Sequence, residues 1–159
     1  MSHEVHIYTD GAAKGNPGPA GYGVVMELVG TPYKKEFYEG FRLSTNNRME
    51  LLAVIVGLEK LKKPNTSVLV VSDSKYVVDA IEKGWVFSWE KKYFSGKKNA
   101  DLWMRFLKIY RKHHVKFQWI KGHNKHPQNE RCDQLAVMAS QQEKLAVDAF
   151  YEKEEGKLL

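Results

Sequence analysis

The chain predicts an α/β domain built on a five-stranded mixed sheet, three strands antiparallel and two parallel, with helices on both faces. Three observations carry that reading. Residues 4–10, 21–29 and 33–42 read as consecutive strands, and Gly30-Thr31-Pro32 punctuates the last two as a hairpin. Residues 67–72 hold the unbroken apolar run Val68-Leu69-Val70-Val71, as a central parallel strand covered on both faces requires. From residue 46 onward, helical and extended patterns alternate, which places helices against a sheet.

Each element has a local reason. Residues 4–10 alternate and stop at Gly11. Residues 46–62 form the strongest helix, capped by Ser44 or Thr45, with Met49, Leu52, Ala53 and Val56 on one face. Leu51, Ile55 and Leu58 add a second apolar stripe, so this helix is expected to be buried on most sides. Lys62-Lys63-Pro64-Asn65 ends it. A short helix is expected over 74–83, an irregular basic and aromatic stretch over 84–98, and an amphipathic helix over 100–112 through Trp103, Phe106, Leu107 and Tyr110. Residues 115–120 read as the fifth strand. The last helix is expected over 128–142, with Pro127 in its first turn and Cys132, Leu135, Ala136 and Ala139 facing inward. Residues 1–142 thus make one domain, and 143–159 read as a loosely held tail with few apolar anchors.

The bulk properties narrow the partner. The formal net charge is +6, with a sequence pI of about 9.3, which favours an anionic ligand. The charge is concentrated: Lys83 to Lys125 holds twelve Lys/Arg against only Glu90 and Asp101, a local net of +10. One cysteine, Cys132, excludes an internal disulfide and suits a reducing compartment. No basic leader with an apolar core opens the sequence, and no apolar run approaches the ~18 residues of a span. The expectation is a soluble cytoplasmic protein with no membrane partner.

Four carboxylates point to the chemistry. Asp10 closes the run Val5-His6-Ile7-Tyr8-Thr9, and Asp73 closes Val68–Ser72. Glu50 and Asp133 lie near the starts of two helices. In open α/β sheets, ligands bind beyond the carboxyl ends of the strands. Acids gathered there repel one another unless a cation neutralises them, so a metal is expected. In so basic a chain the matching substrate is a phosphodiester.

Four strings, in order, carry a resemblance: Tyr8-Thr9-Asp10-Gly11 with the Gly-rich loop to Gly21; Ser44-Thr45-Asn46-Asn47-Arg48-Met49-Glu50; Ser72-Asp73-Ser74-Lys75-Tyr76-Val77; and Trp119-Ile120-Lys121-Gly122-His123 running on to Asp133. Over about residues 4–142 the chain resembles the type 1, single-domain bacterial ribonucleases H. The resemblance implies a ribonuclease H-like fold and hydrolysis of the RNA strand of an RNA–DNA hybrid, leaving 5′-phosphate and 3′-hydroxyl ends. It implies two Mg²⁺ ions, with Mn²⁺ as a possible substitute, held by Asp10, Glu50, Asp73 and Asp133, with Asp10 bridging both. His123 would carry protons, and Glu130 would help turn over metal or product. Asn16, Thr45, Asn46, Asn47 and Lys75 would meet the substrate, with Arg48 adding a phosphate contact. Lys91 and Lys92, with Trp85 and Trp89, would belong to a basic protrusion, shorter here than in the best-known bacterial relatives. The working form would be a monomer.

Other readings stand beside these. Asp73 alone is a helix cap, Asp10 a turn residue, and Asp133 a surface acid beside Arg131. A carboxylate at Glu50, on so apolar a helix, is costly unless paired or ligated. His126 reads as structural, and at least one of Trp85 and Trp89 as buried. The Gly-rich loop is no nucleotide-phosphate loop, because no Gly-Lys-Ser/Thr follows. Two rival functions remain: a hybrid-binding module without catalysis, and a different metal nuclease on the same fold.

Overall fold

The computed structural model describes residues 3–122 and 125–157. Its first three strands, β1 (Val5–Ala13), β2 (Gly18–Leu28) and β3 (Lys34–Ser44), form the expected antiparallel meander. Strands β4 (Ser67–Ser72) and β5 (His114–Trp119) add in parallel, giving the order β3-β2-β1-β4-β5. β1 runs past the expected end at residue 10, because Asp10 to Ala13 stay paired with Gly23 to Ala20 of β2.

Two hydrophobic layers flank the sheet. On one face Ile7, Val24, Val68 and Val70 pack under α1 (Asn46–Glu59), α2 (Lys75–Glu82) and α4 (Ala100–Tyr110). On the other, Tyr8, Val25 and Val71 meet Cys132 and Leu135 of α5 (Pro127–Ser140). The alternation of Ile7 and Tyr8 between the layers is the period of two of a strand covered on both sides. α1 is buried nearly all round, from Arg48 to Leu58. Its cap is Thr45, whose hydroxyl accepts the Arg48 amide at 3.2 Å. α5 lies close on the sheet because glycines face it: a β-carbon on Gly23 or Gly40 would run into the Cys132 or Ala139 carbonyl oxygen.

Two helices depart from the expectation. Residues 84–98 are not all irregular: Trp85–Lys91 form α3, following Gly84 with φ 76°, with Val86 fully buried. Neither Trp85, 46% exposed, nor the half-buried Trp89 is fully buried; that place belongs to Trp103, which Trp89 meets edge-on at 5.8 Å.

The tail also has anchors, and they are polar. Ala146 bridges Phe41 of β3, and a further helix, α6, spans Ala149–Lys157. Asp148, 8% exposed, accepts from Ser44 Oγ at 2.7 Å and from Arg48 Nε at 2.7 Å. Among the described residues, no helix is long and apolar enough to cross a membrane.

Candidate active site

Sheet register builds the centre of the site. β1 and β4 run in parallel with Thr9 opposite Ser72, so one step further brings Asp10 beside Asp73. Glu50 comes from the first turns of α1, which passes very close to Gly11: a β-carbon there would lie 2.6 Å from the Glu50 backbone nitrogen. The ligand oxygens of Asp10, Glu50 and Asp73 all fall within 4.8 Å of one another. Asp10 and Glu50 are buried, and Asp73 is half-buried. The cap of α2 is Ser74, which accepts from the Val77 amide at 3.2 Å, so Asp73 is free of that task.

Burial, then the charge of Asp73, pushes the Asp10 carboxyl up to about 8. Burial, then the charges of Asp10 and Asp73, raises Glu50 well above the usual carboxylate range. Glu50 Oε1 is buried with no hydrogen-bond partner. Three hard oxygen donors held together, one of them orphaned, fit a divalent cation such as Mg²⁺ or Mn²⁺. Asp133 stands outside this trio but lines the same cleft of about 500 Å³, together with Asn46, Asn47 and Lys75.

The other expected residues fall around this centre. Asn16 Oδ1 accepts the Asn46 backbone amide at 3.0 Å, tying the Gly-rich loop to the start of α1. Asn16 and Thr45 line a second cleft of about 640 Å³ with Lys97 and Lys98, and Asn47 lines both. Lys75 lies over the Trp119 ring, 4.9 Å from its centroid. Lys91 and Lys92 are exposed at the end of α3.

Arg48 does not meet solvent. It is 2% exposed and pairs with Asp148 and Asp101, which removes it from the phosphate contacts. His126 caps α5 by accepting the Asn129 amide at 3.2 Å, a structural role. His123 lies outside the described residues.

The ribonuclease H family model matches residues 2–141. The chain belongs to the ribonuclease H family. It is 56% identical to the ribonuclease H of Desulforamulus reducens, over 91% of this chain and 92% of that one. It is 47% identical to that of Trichodesmium erythraeum, over 94% and 96%. Among solved structures it resembles LC9-RNase H1, a type 1 RNase H with the type 2 active-site motif, at TM-score 0.77 and 29% identity, covering 88% of this chain and 73% of that one. LC11-RNase H1, solved in complex with an RNA/DNA hybrid, matches at TM-score 0.63 and 29% identity, over 85% and 95%. A nuclease with an acidic centre is what the family and the geometry give together.

Proposed function

We propose that this ribonuclease H cuts the RNA strand of RNA–DNA hybrids internally, at the cleft that holds Asp10, Glu50 and Asp73. The observation that carries the reading is the carboxylate trio within 4.8 Å, with one buried oxygen unpartnered, in a chain of this family. Asp10, Glu50 and Asp73, with Asp133 across the cleft, would hold two Mg²⁺ ions. Such ions, when bound, supply an activated water and stabilise the leaving oxygen.

The chain's own residues do the rest. Glu50 and Asp10 are raised by burial and by like charge, so they exchange protons readily for a cation. Asn46 and Asn47 place amides on the cleft wall, where a 2′-hydroxyl can both donate and accept. Asn16 fixes Asn46 by its backbone and stands with Thr45 and Lys97 along the path of a phosphate backbone. Lys75, Lys91 and Lys92, with the rings of Trp85 and Trp89, extend the basic surface for the DNA strand. His123 is assigned the proton-carrying role on family resemblance, with 5′-phosphate and 3′-hydroxyl products. We take the enzyme to be a monomer, and a cytoplasmic one, since a single thiol suits a reducing compartment.

The test uses one end-labelled RNA strand, annealed to DNA, annealed to RNA, or left single. Each is incubated with Mg²⁺ or Mn²⁺, with and without chelator. Chelator-sensitive internal cuts in the hybrid alone are the expected result. Asp10→Asn and Asp73→Asn abolish cleavage while hybrid binding survives. Binding without cutting in both metals would turn the reading to a non-catalytic module.

A further inference from the structure

The second cleft has an unexpected wall. Asn16, Thr45, Lys97 and Lys98 line it, and α6 adds Glu154 and Glu155 to the same lining. Asn47 lines both this cleft and the acidic one, so the two clefts adjoin there, and a strand leaving the metal site past Asn47 would meet α6.

The helix is fixed there. Asp148, at its start, is buried and bonded to Ser44 and Arg48. The Arg48 guanidinium lies 5.5 Å from the Phe150 ring centroid. Glu152 takes a two-pronged contact from Arg42, the shorter bond 2.8 Å. Tyr151 donates to Glu155 Oε1 at 3.1 Å, which orders that carboxylate.

We propose that Glu154 and Glu155 are affinity-limiting residues: an acidic wall, held by the C-terminal anchor, that opposes the substrate phosphates lying beside Lys97 and Lys98. The inference rests on the reading of the chain as a hybrid-cleaving enzyme. A carboxylate facing the same cleft as a phosphate repels it and competes for the same lysines. Both effects weaken ground-state binding without touching the reacting atoms, so they act on KM and leave the chemical step alone. They also set the salt response. Removing two negative charges from beside the lysines strengthens the electrostatic part of binding, which steepens the fall of affinity with salt.

The experiment measures steady-state hybrid cleavage by the full chain, its Glu154→Gln/Glu155→Gln variant and its Glu154→Lys/Glu155→Lys variant, from low to high salt. Melting curves confirm that each is folded. The expected result is a KM about three- to tenfold lower in the Gln variant at low salt, and lower again in the Lys variant. The gap closes at high salt, where exposed charges are screened. A KM that stays constant across the three proteins, or that rises, overturns the acidic wall; a rise makes α6 part of the binding surface instead. A parent chain that neither binds nor cuts the hybrid defeats the functional reading, an outcome separable from the other two.

Discussion

Gly11 and Glu50 touch through their backbones: a β-carbon on Gly11 would lie 2.6 Å from the Glu50 nitrogen and 2.8 Å from the Met49 carbonyl carbon. Backbone cannot swing aside as a side chain can. Gly11→Ala is therefore expected to push α1 away from β1 and carry the Glu50 carboxylate out of the trio. Overpacking of this kind costs about 1–3 kcal/mol. Thermal melting should fall by several degrees, and kcat should drop at least ~10-fold with a smaller change in KM. An alanine variant with parental kcat would mean that this approach does not position the acid.

The raised Asp10 carboxyl predicts a metal-free protein that weakens as pH rises. Its folded value is about 8 against an ordinary 3.8, so between these pH values the folded state holds a proton that the unfolded chain has released. Stability is then lost progressively from about pH 4 to pH 8 and stays lost above it. Asp10→Asn removes the charge. In chelator at pH 8 the variant should melt higher than the parent, by about 2–4 °C for each kcal/mol recovered in a chain of this size. The gap should shrink toward pH 4, and added Mg²⁺ should raise the parent more than the variant. Equal melting at pH 8 in chelator would remove the like-charge argument.

The parts legible in the sequence are those written in local pattern. The meander, the buried α1, the central β4 and the Pro127 start of α5 follow from period, caps and turn residues. The carboxylates were legible because Asp10 and Asp73 follow apolar strand runs and Glu50 and Asp133 lie near helix starts. What escaped is written in long-range pairing. α6 has no apolar stripe to announce it, and its anchor joins Asp148 to Ser44 and Arg48 across about a hundred positions. One signal did exist: an arginine on a helix expected to be buried on most sides demands acidic partners. α3 escaped because it has seven residues and a single fully buried one, Val86.

Arg48 and Arg42 predict opposite outcomes for the same substitution. Arg48 is buried and pairs with both Asp101 and Asp148, whereas Arg42 meets Glu152 with its side chain 60% exposed. Arg48→Ala strands two carboxylates, one of them buried, and should cost about 3–5 kcal/mol. Arg42→Ala breaks a solvent-screened pair and should cost about 1 kcal/mol or less. Asp148→Ala should resemble Arg48→Ala, and so should deletion after Val147, since both remove the anchor of the tail. Urea titrations of the four variants rank them directly. A deletion that leaves the midpoint unchanged would show that the polar anchor contributes nothing.

The basic stretch divides into paired and unpaired cations, and the two groups should behave differently toward substrate. Arg105 and Arg111 are held by Glu59 and Glu90 at 2.6 Å, so their charge is largely neutralised in place. Lys91 and Lys92 end α3 exposed and, among the described residues, have no ion-pair partner. Phosphate contacts made by such lysines release counterions, each contributing about 0.9 to the slope of log affinity against log salt. Lys91→Ala/Lys92→Ala is expected to raise the hybrid KM several-fold at low salt, flatten that slope by up to about two, and leave kcat unchanged. Arg105→Ala and Arg111→Ala should change the slope little, because each also frees an acid. If the arginine variants flattened the slope as much as the lysine pair, the hybrid would lie across the α4 surface, and α3 would lose its place in substrate binding.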